Sequence, residues 1–81
     1  MLDIINLLKI LLKMKSAKYS VPTRLIASNQ DLEDLILENN DNIPALKGWR
    51  WDIFGEDAIK LRKGKIAIYR SKKGLELMDI S

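Results

Sequence analysis

Between Leu2 and about Lys18, the residues Ile4, Ile5, Leu8, Leu11 and Leu12 return at helical spacing, and Asp3, Asn6, Lys9 and Lys13 form a narrow polar stripe opposite. This pattern predicts a long first helix. Leu7 and Met14 widen its apolar face to roughly half the circumference at about 100° per residue, more than one small partner helix covers. Charge interrupts the run well short of the roughly 20 apolar residues of a membrane span, and the basic start and small-residue cleavage site of a signal peptide are missing. No membrane partner is expected. A chain of 81 residues makes one small domain that buries about 60% of its unfolded surface, which leaves little room for a deep active-site cleft. There is no cysteine, so nothing cross-links the fold or points to an oxidising compartment, and the expected location is the cytoplasm.

Val21-Pro22 breaks the first helix, and a short helix restarts over Pro22 to Ile26. Ser28-Asn29-Gln30-Asp31 has the form of an N-cap followed by early acids, and Leu32, Leu35 and Ile36 carry a further helix to about Glu38. Glu38 to Asn42 is a polar loop, with Asn42 as the next N-cap and Pro44 near the first helical position. Leu46, Trp49 and Ile53 then recur at helical spacing, so residues 44 to 54 are expected to be helical, Gly48 notwithstanding, with Gly55 as the C-cap. Glu56 to Lys63 forms a last short helix that Gly64 stops. The period then changes to two: Ile66 and Ile68, and Leu75 and Leu77, alternate around Ser71-Lys72-Lys73-Gly74, the pattern of a hairpin with a G1-type bulge. Residues 1–65 are expected to be a helical unit, with 66–81 a hairpin tail packed on it or extending from it. An isolated hairpin is marginal in water, so it must lean on the helices or a partner.

Without His or Cys, the common zinc sites, the Ser-His and Cys-His nucleophile pairs and histidine acid–base catalysis are excluded. Asp31, Asp34 and Glu38 share one helix face and could hold Mg²⁺, but acids near a helix start are accounted for by the helix dipole. No cofactor, metal or catalytic site is expected. Net charge is +3 and segregated: residues 1 to 28 carry +4, residues 29 to 46 carry −5, and residues 47 to 81 carry +4. Lys60, Arg62, Lys63 and Lys65 cluster around Gly64, and Lys72 and Lys73 sit at the hairpin tip beside Arg70. Such clusters neutralise phosphates without reading sequence, although lysines at a helix end also complement its dipole. Trp49 shares the apolar stripe with Leu46 and Ile53 and reads as core. Trp51 falls off that stripe between Arg50 and Asp52, where a ring can stack on a base or fill a partner's pocket.

Leu7-Leu8-Lys9-Ile10-Leu11-Leu12-Lys13, Val21 to Ser28, Asp31-Leu32-Glu33, Pro44 to Arg50 and Phe54 to Ala58, in that order, resemble the C-terminal helical domain of bacterial ribonuclease D. The resemblance covers roughly residues 5 to 70. Its most specific element is Gly48-Trp49-Arg50 leading to Phe54-Gly55. It implies a mainly α, HRDC-like bundle of four to five short helices with a C-terminal β-hairpin. It also implies a non-catalytic accessory role, binding RNA of tRNA-like form for a metal-dependent 3′–5′ exonuclease domain that these residues do not include. On that reading the chain is a separately encoded subunit, a split-gene relic or a designed piece, and an exonuclease domain encoded elsewhere is a candidate partner. Arg50 matches the family's pattern and is the first contact to carry over; Trp51 stands where a basic residue is usual.

The expected nucleic-acid contacts are Arg50, Trp51, Lys60, Arg62, Lys63, Lys65, Lys72 and Lys73. The alternative is a protein-interaction or self-association module that uses the wide face of the first helix and the hairpin edge.

Overall fold

The first helix forms where the apolar spacing predicts it. α1 spans Leu2–Tyr19 and buries Leu8, Leu11 and Leu12, while Asp3, Asn6, Lys9 and Lys13 stay exposed. The structure, a computed structural model, describes residues 2–37 and 43–80. α1 closes with Ser20 in the left-handed region at φ 57°. The Val21 N–H then reaches back to the Ser16 carbonyl at 3.2 Å, occupying a carbonyl that a helix end otherwise leaves bare, and the Ser16 hydroxyl donates to the Val21 carbonyl at 2.6 Å.

α2 (Thr23–Ile26) follows Pro22 and buries Ile26. α3 (Asn29–Ile36) starts at a reciprocal cap: the Asp31 N–H donates to Ser28 Oγ at 3.1 Å, and the Ser28 N–H donates to the Asp31 carboxylate at 3.1 Å. Two donors at the helix start are thereby satisfied. Leu32 and Leu35 complete the face that packs against α1. Glu38, the polar loop and the expected Asn42 cap lie outside the described residues.

The expected helix over 44 to 54 is corrected. Pro44–Leu46 is a 3₁₀ turn, Gly48 reverses the chain at φ +57°, and helical turns resume at Trp49, pass through a π turn at Trp51–Gly55 and enter α4 (Glu56–Arg62). Gly55 is therefore no C-cap; with φ −57° and ψ −43° it is a buried interior residue of this run. Trp49, expected in the core, is 45% exposed. Leu46 and Trp49 lie on either side of the Gly48 reversal, so their three-residue spacing defines no common face. The aromatic at the centre of the core is Phe54, fully buried with Leu8, Leu11, Ile26, Leu32, Leu35 and Ile43.

Gly64, at φ +75°, ends α4, and the Lys65 N–H bonds the Lys60 carbonyl at 2.9 Å. β1 (Ile66–Ser71) and β2 (Gly74–Asp79) pair antiparallel. The pairs run one to one from Ile66↔Asp79 to Ser71↔Gly74, so the expected bulge is absent, although Gly74 keeps the φ of 121° that favours glycine. The hairpin leans on the helices at its base: Ile66 is buried, Ile68 and Leu77 pack on the core, and the Ile80 N–H bonds the Lys65 carbonyl at 3.0 Å. The molecule is mainly α with a C-terminal hairpin, the class expected of it.

Candidate nucleic-acid interface

The eight residues expected at a nucleic-acid surface separate into groups. Lys63 and Lys65 project from the end of α4, exposed, and Lys72 and Lys73 project from the hairpin tip, also exposed. β1 has six residues, so at about 3.3 Å per residue the tip stands roughly 20 Å from the α4 end. There are two small basic clusters, one at each end of the hairpin. Among the described residues none of these four lysines has an ion-pair partner. Lys60 lies 3.7 Å from Glu56, with both side chains about half exposed, a surface pair that contributes little.

The two arginines are engaged inside the molecule. Arg62 donates from Nη1 to the Leu35 carbonyl at 2.7 Å, satisfying a last-turn carbonyl of α3 with a cation. It joins α4 to α3. Arg50 donates from Nε to the Leu25 carbonyl at 2.8 Å, and its guanidinium carbon lies 4.5 Å from the centroid of the Trp49 ring. Trp51 is 37% exposed, but its six-membered ring edge lies over Gly55, where Cε3 is 3.1 Å from the position a Cβ would take.

Two features are not among those expected from the sequence. Lys15, 7% exposed, forms an ion pair of 2.6 Å with Asp57 and ties α1 to the first turn of α4. The signal was present, since Lys15 follows Leu8, Leu11 and Leu12 by seven, four and three residues and so shares their face. The other is a groove of about 860 Å³ between α1 and β2, lined by Ile10, Met14, Ala17, Leu75 and Leu77 together with lysines that include Lys13 and Lys18. The acids suspected of holding a metal are spent locally: Asp31 in the cap and Asp34 accepting from the Gln30 amide at 3.0 Å. Among the described residues no acidic cluster has metal-binding form, and no helix is long and apolar enough to cross a membrane.

Neither a family model nor a solved structure matches the chain. Individual proteins do. Ribonuclease D of Granulibacter bethesdensis is 41% identical over 75 residues, covering 93% of this chain and 19% of the relative. The Zymomonas mobilis ribonuclease D is 44% identical over 78 residues, covering 94% and 20%. The chain is homologous to part of ribonuclease D. It spans about one fifth of the length of these relatives, a share in keeping with the C-terminal domain that the motifs resemble. Acidiphilium cryptum ribonuclease D agrees at 39% identity over 77 residues, 95% of this chain and 20% of the relative. Each part of the segment that carries the resemblance, Gly48-Trp49-Arg50 leading to Phe54-Gly55, has a structural role. Gly48 turns the chain, Trp49 and Arg50 stack, Phe54 fills the core, and Gly55 admits a neighbouring backbone.

Proposed function

We propose that this chain is the non-catalytic, C-terminal accessory domain of a ribonuclease D-like protein of the cytoplasm, and that it binds RNA of tRNA-like form for an exonuclease domain. The observation that carries this reading is the kinship with ribonuclease D over more than nine tenths of the chain. The unpartnered lysines at the two ends of the hairpin supply the chemistry. Lys63, Lys65, Lys72 and Lys73 are the primary phosphate contacts, with Lys60 beside them; Arg50 and Arg62 contribute charge from fixed positions. Such contacts release counterions, so affinity falls steeply with salt.

Titration of the chain with single-stranded and tRNA-like RNA at rising salt tests the proposal. A log–log salt slope near −3 is expected if four lysines contact phosphates, at about −0.7 to −0.9 per contact. Replacing Lys72 and Lys73 together by Gln should reduce the slope by about 1.5. No association with any RNA at low salt would sink the idea.

The apolar groove between α1 and β2 favours a second reading. Leu7, Ile10, Leu75 and Met78 are all more than one third exposed, and the outer edges of a two-stranded sheet are open to further pairing. On this reading the chain self-associates or docks a protein through α1 and the hairpin. Sedimentation at two concentrations should then show a heavier species at the higher one; a strict monomer would count against self-association.

A further inference from the structure

Trp49 is the largest side chain left near half exposed among the described residues, at 45%. A tryptophan can bury 150–250 Å², so this ring forgoes much of its packing. It is also held. Arg50 covers one side of the indole at 4.5 Å from the centroid, and Arg50 is itself fixed by the 2.8 Å bond from Nε to the Leu25 carbonyl. Gly48, at φ +57°, sets the turn immediately before them. The indole is thus nearly half exposed while the Arg50 guanidinium lies over its ring.

The guanidinium has donors to spare. Arg carries five N–H groups, and the structure occupies only the one on Nε, leaving both Nη amino groups without a protein acceptor among the described residues. A plane fixed by stacking and by one backbone bond, with its outer donors free, matches the fork that takes a phosphate through two parallel bonds. Ring and fork are adjacent. Their combination has the chemistry that a nucleotide requires: an aromatic surface for the base and a bidentate donor for its phosphate.

We infer that Trp49 and Arg50 form a site for a single unpaired nucleotide, the base stacking on the free side of Trp49 and the phosphate held by Arg50 Nη1 and Nη2. The inference rests on the RNA-binding proposal and adds a preference to it. The lysine clusters bind any phosphate backbone, whereas a stacking site takes only a base that is not paired, because a base within a duplex has no open face. It also moves the stacking role from Trp51, whose ring packs over Gly55, to Trp49.

Single-tryptophan variants separate the two rings. A short oligouridine should quench the fluorescence of Trp51→Phe, in which Trp49 alone emits, and leave that of Trp49→Phe unchanged. Trp49→Ala should weaken single-stranded binding roughly tenfold and leave duplex RNA binding unaltered, in line with the loss of one base–aromatic stack. Both Phe variants retain an aromatic ring, so the quenching comparison holds even if Trp49→Ala unfolds. If RNA binds without quenching Trp49, or if Trp49→Ala weakens duplex and single-strand binding equally, the nucleotide site is refuted while RNA binding stands. If no RNA binds, both fall.

Discussion

Asp57→Ala is expected to lower the unfolding free energy by about 3 kcal/mol, the low end of the cost of breaking a buried ion pair. The lower figure is chosen because the Asp57 side chain keeps 28% of its surface exposed, against 9% for Lys15. The loss comes less from the attraction removed than from the charge left behind. Lys15 sits on the face of α1 that carries Leu8, Leu11 and Leu12, and Asp57 is the acid paired with its ammonium group among the described residues, so the substitution takes away that partner. In a domain of this size about 3 kcal/mol is a large part of the total stability. The midpoint of thermal unfolding should fall by on the order of 15 °C.

The same pair gives a sharper test. If the cost is that of a stranded charge, removing both charges should restore most of the stability, since buried pairs can often be replaced by apolar residues of similar volume at little loss. Lys15→Met combined with Asp57→Leu is therefore expected to unfold within about 1 kcal/mol of the parent chain. Thermal unfolding followed by circular dichroism reads all three proteins. A double variant as unstable as Asp57→Ala alone would show that the junction of α1 and α4 needs the ion pair itself.

Lys15 also shows how far the sequence can be read. Its place on the buried face follows from helical spacing alone, but its partner lies 42 residues away, and no local pattern links a lysine to an acid at that distance. Ser28 is the opposite case, because a capping box involves only residues three apart and was legible as an N-cap. Trp49 failed for a different reason. Spacing defines a face only while the helix is unbroken, and one positive φ at Gly48 resets the phase between Leu46 and Trp49. Once the phase is reset, Phe54 becomes the core aromatic and Trp49 turns outward. For the residues expected at the candidate site, spacing leaves out their arrangement. Nothing in the spacing of Arg50 and Arg62 shows that each is bonded to a backbone carbonyl far away in the chain, at Leu25 and Leu35. The lysines at the hairpin are the part of the expected set that remains unengaged.

Gly55→Ala carries the second large effect, and its sign runs against propensity. Gly55 has helical dihedrals, and alanine in a helix interior is ordinarily favoured over glycine by about 1 kcal/mol. Here a Cβ would come to 2.5 Å from the Ala45 carbonyl oxygen and to 3.1 Å from both Leu46 Cδ2 and Trp51 Cε3. The two side-chain contacts can yield by a few tenths of an ångström. The carbonyl cannot swing away, because it belongs to the 3₁₀ turn Pro44–Leu46, whose Ala45 is fully buried beside the equally buried Ile43. To make room, the turn must lift off the helix and take both residues out of the core. Overpacking of this kind costs about 1–3 kcal/mol and occasionally more; a main-chain oxygen at 2.5 Å sets the cost at the upper end, about 3 kcal/mol, so a net loss of about 2 kcal/mol is expected after the gain of about 1 kcal/mol in propensity. Urea unfolding should show the midpoint falling accordingly. The control is Gly64→Ala, where φ is +75° but no atom lies within 4 Å of the new Cβ; its cost is that of a left-handed backbone, about 1 kcal/mol. Gly55→Ala should therefore be the more damaging of the two although its backbone is the more ordinary. The reverse order would mean that the close approach of Ala45 to Gly55 does not hold in solution. Because the obstructing atom is a main-chain oxygen, no side-chain truncation at Ala45 should rescue Gly55→Ala, which distinguishes this loss from a crowded side chain that a second substitution can relieve.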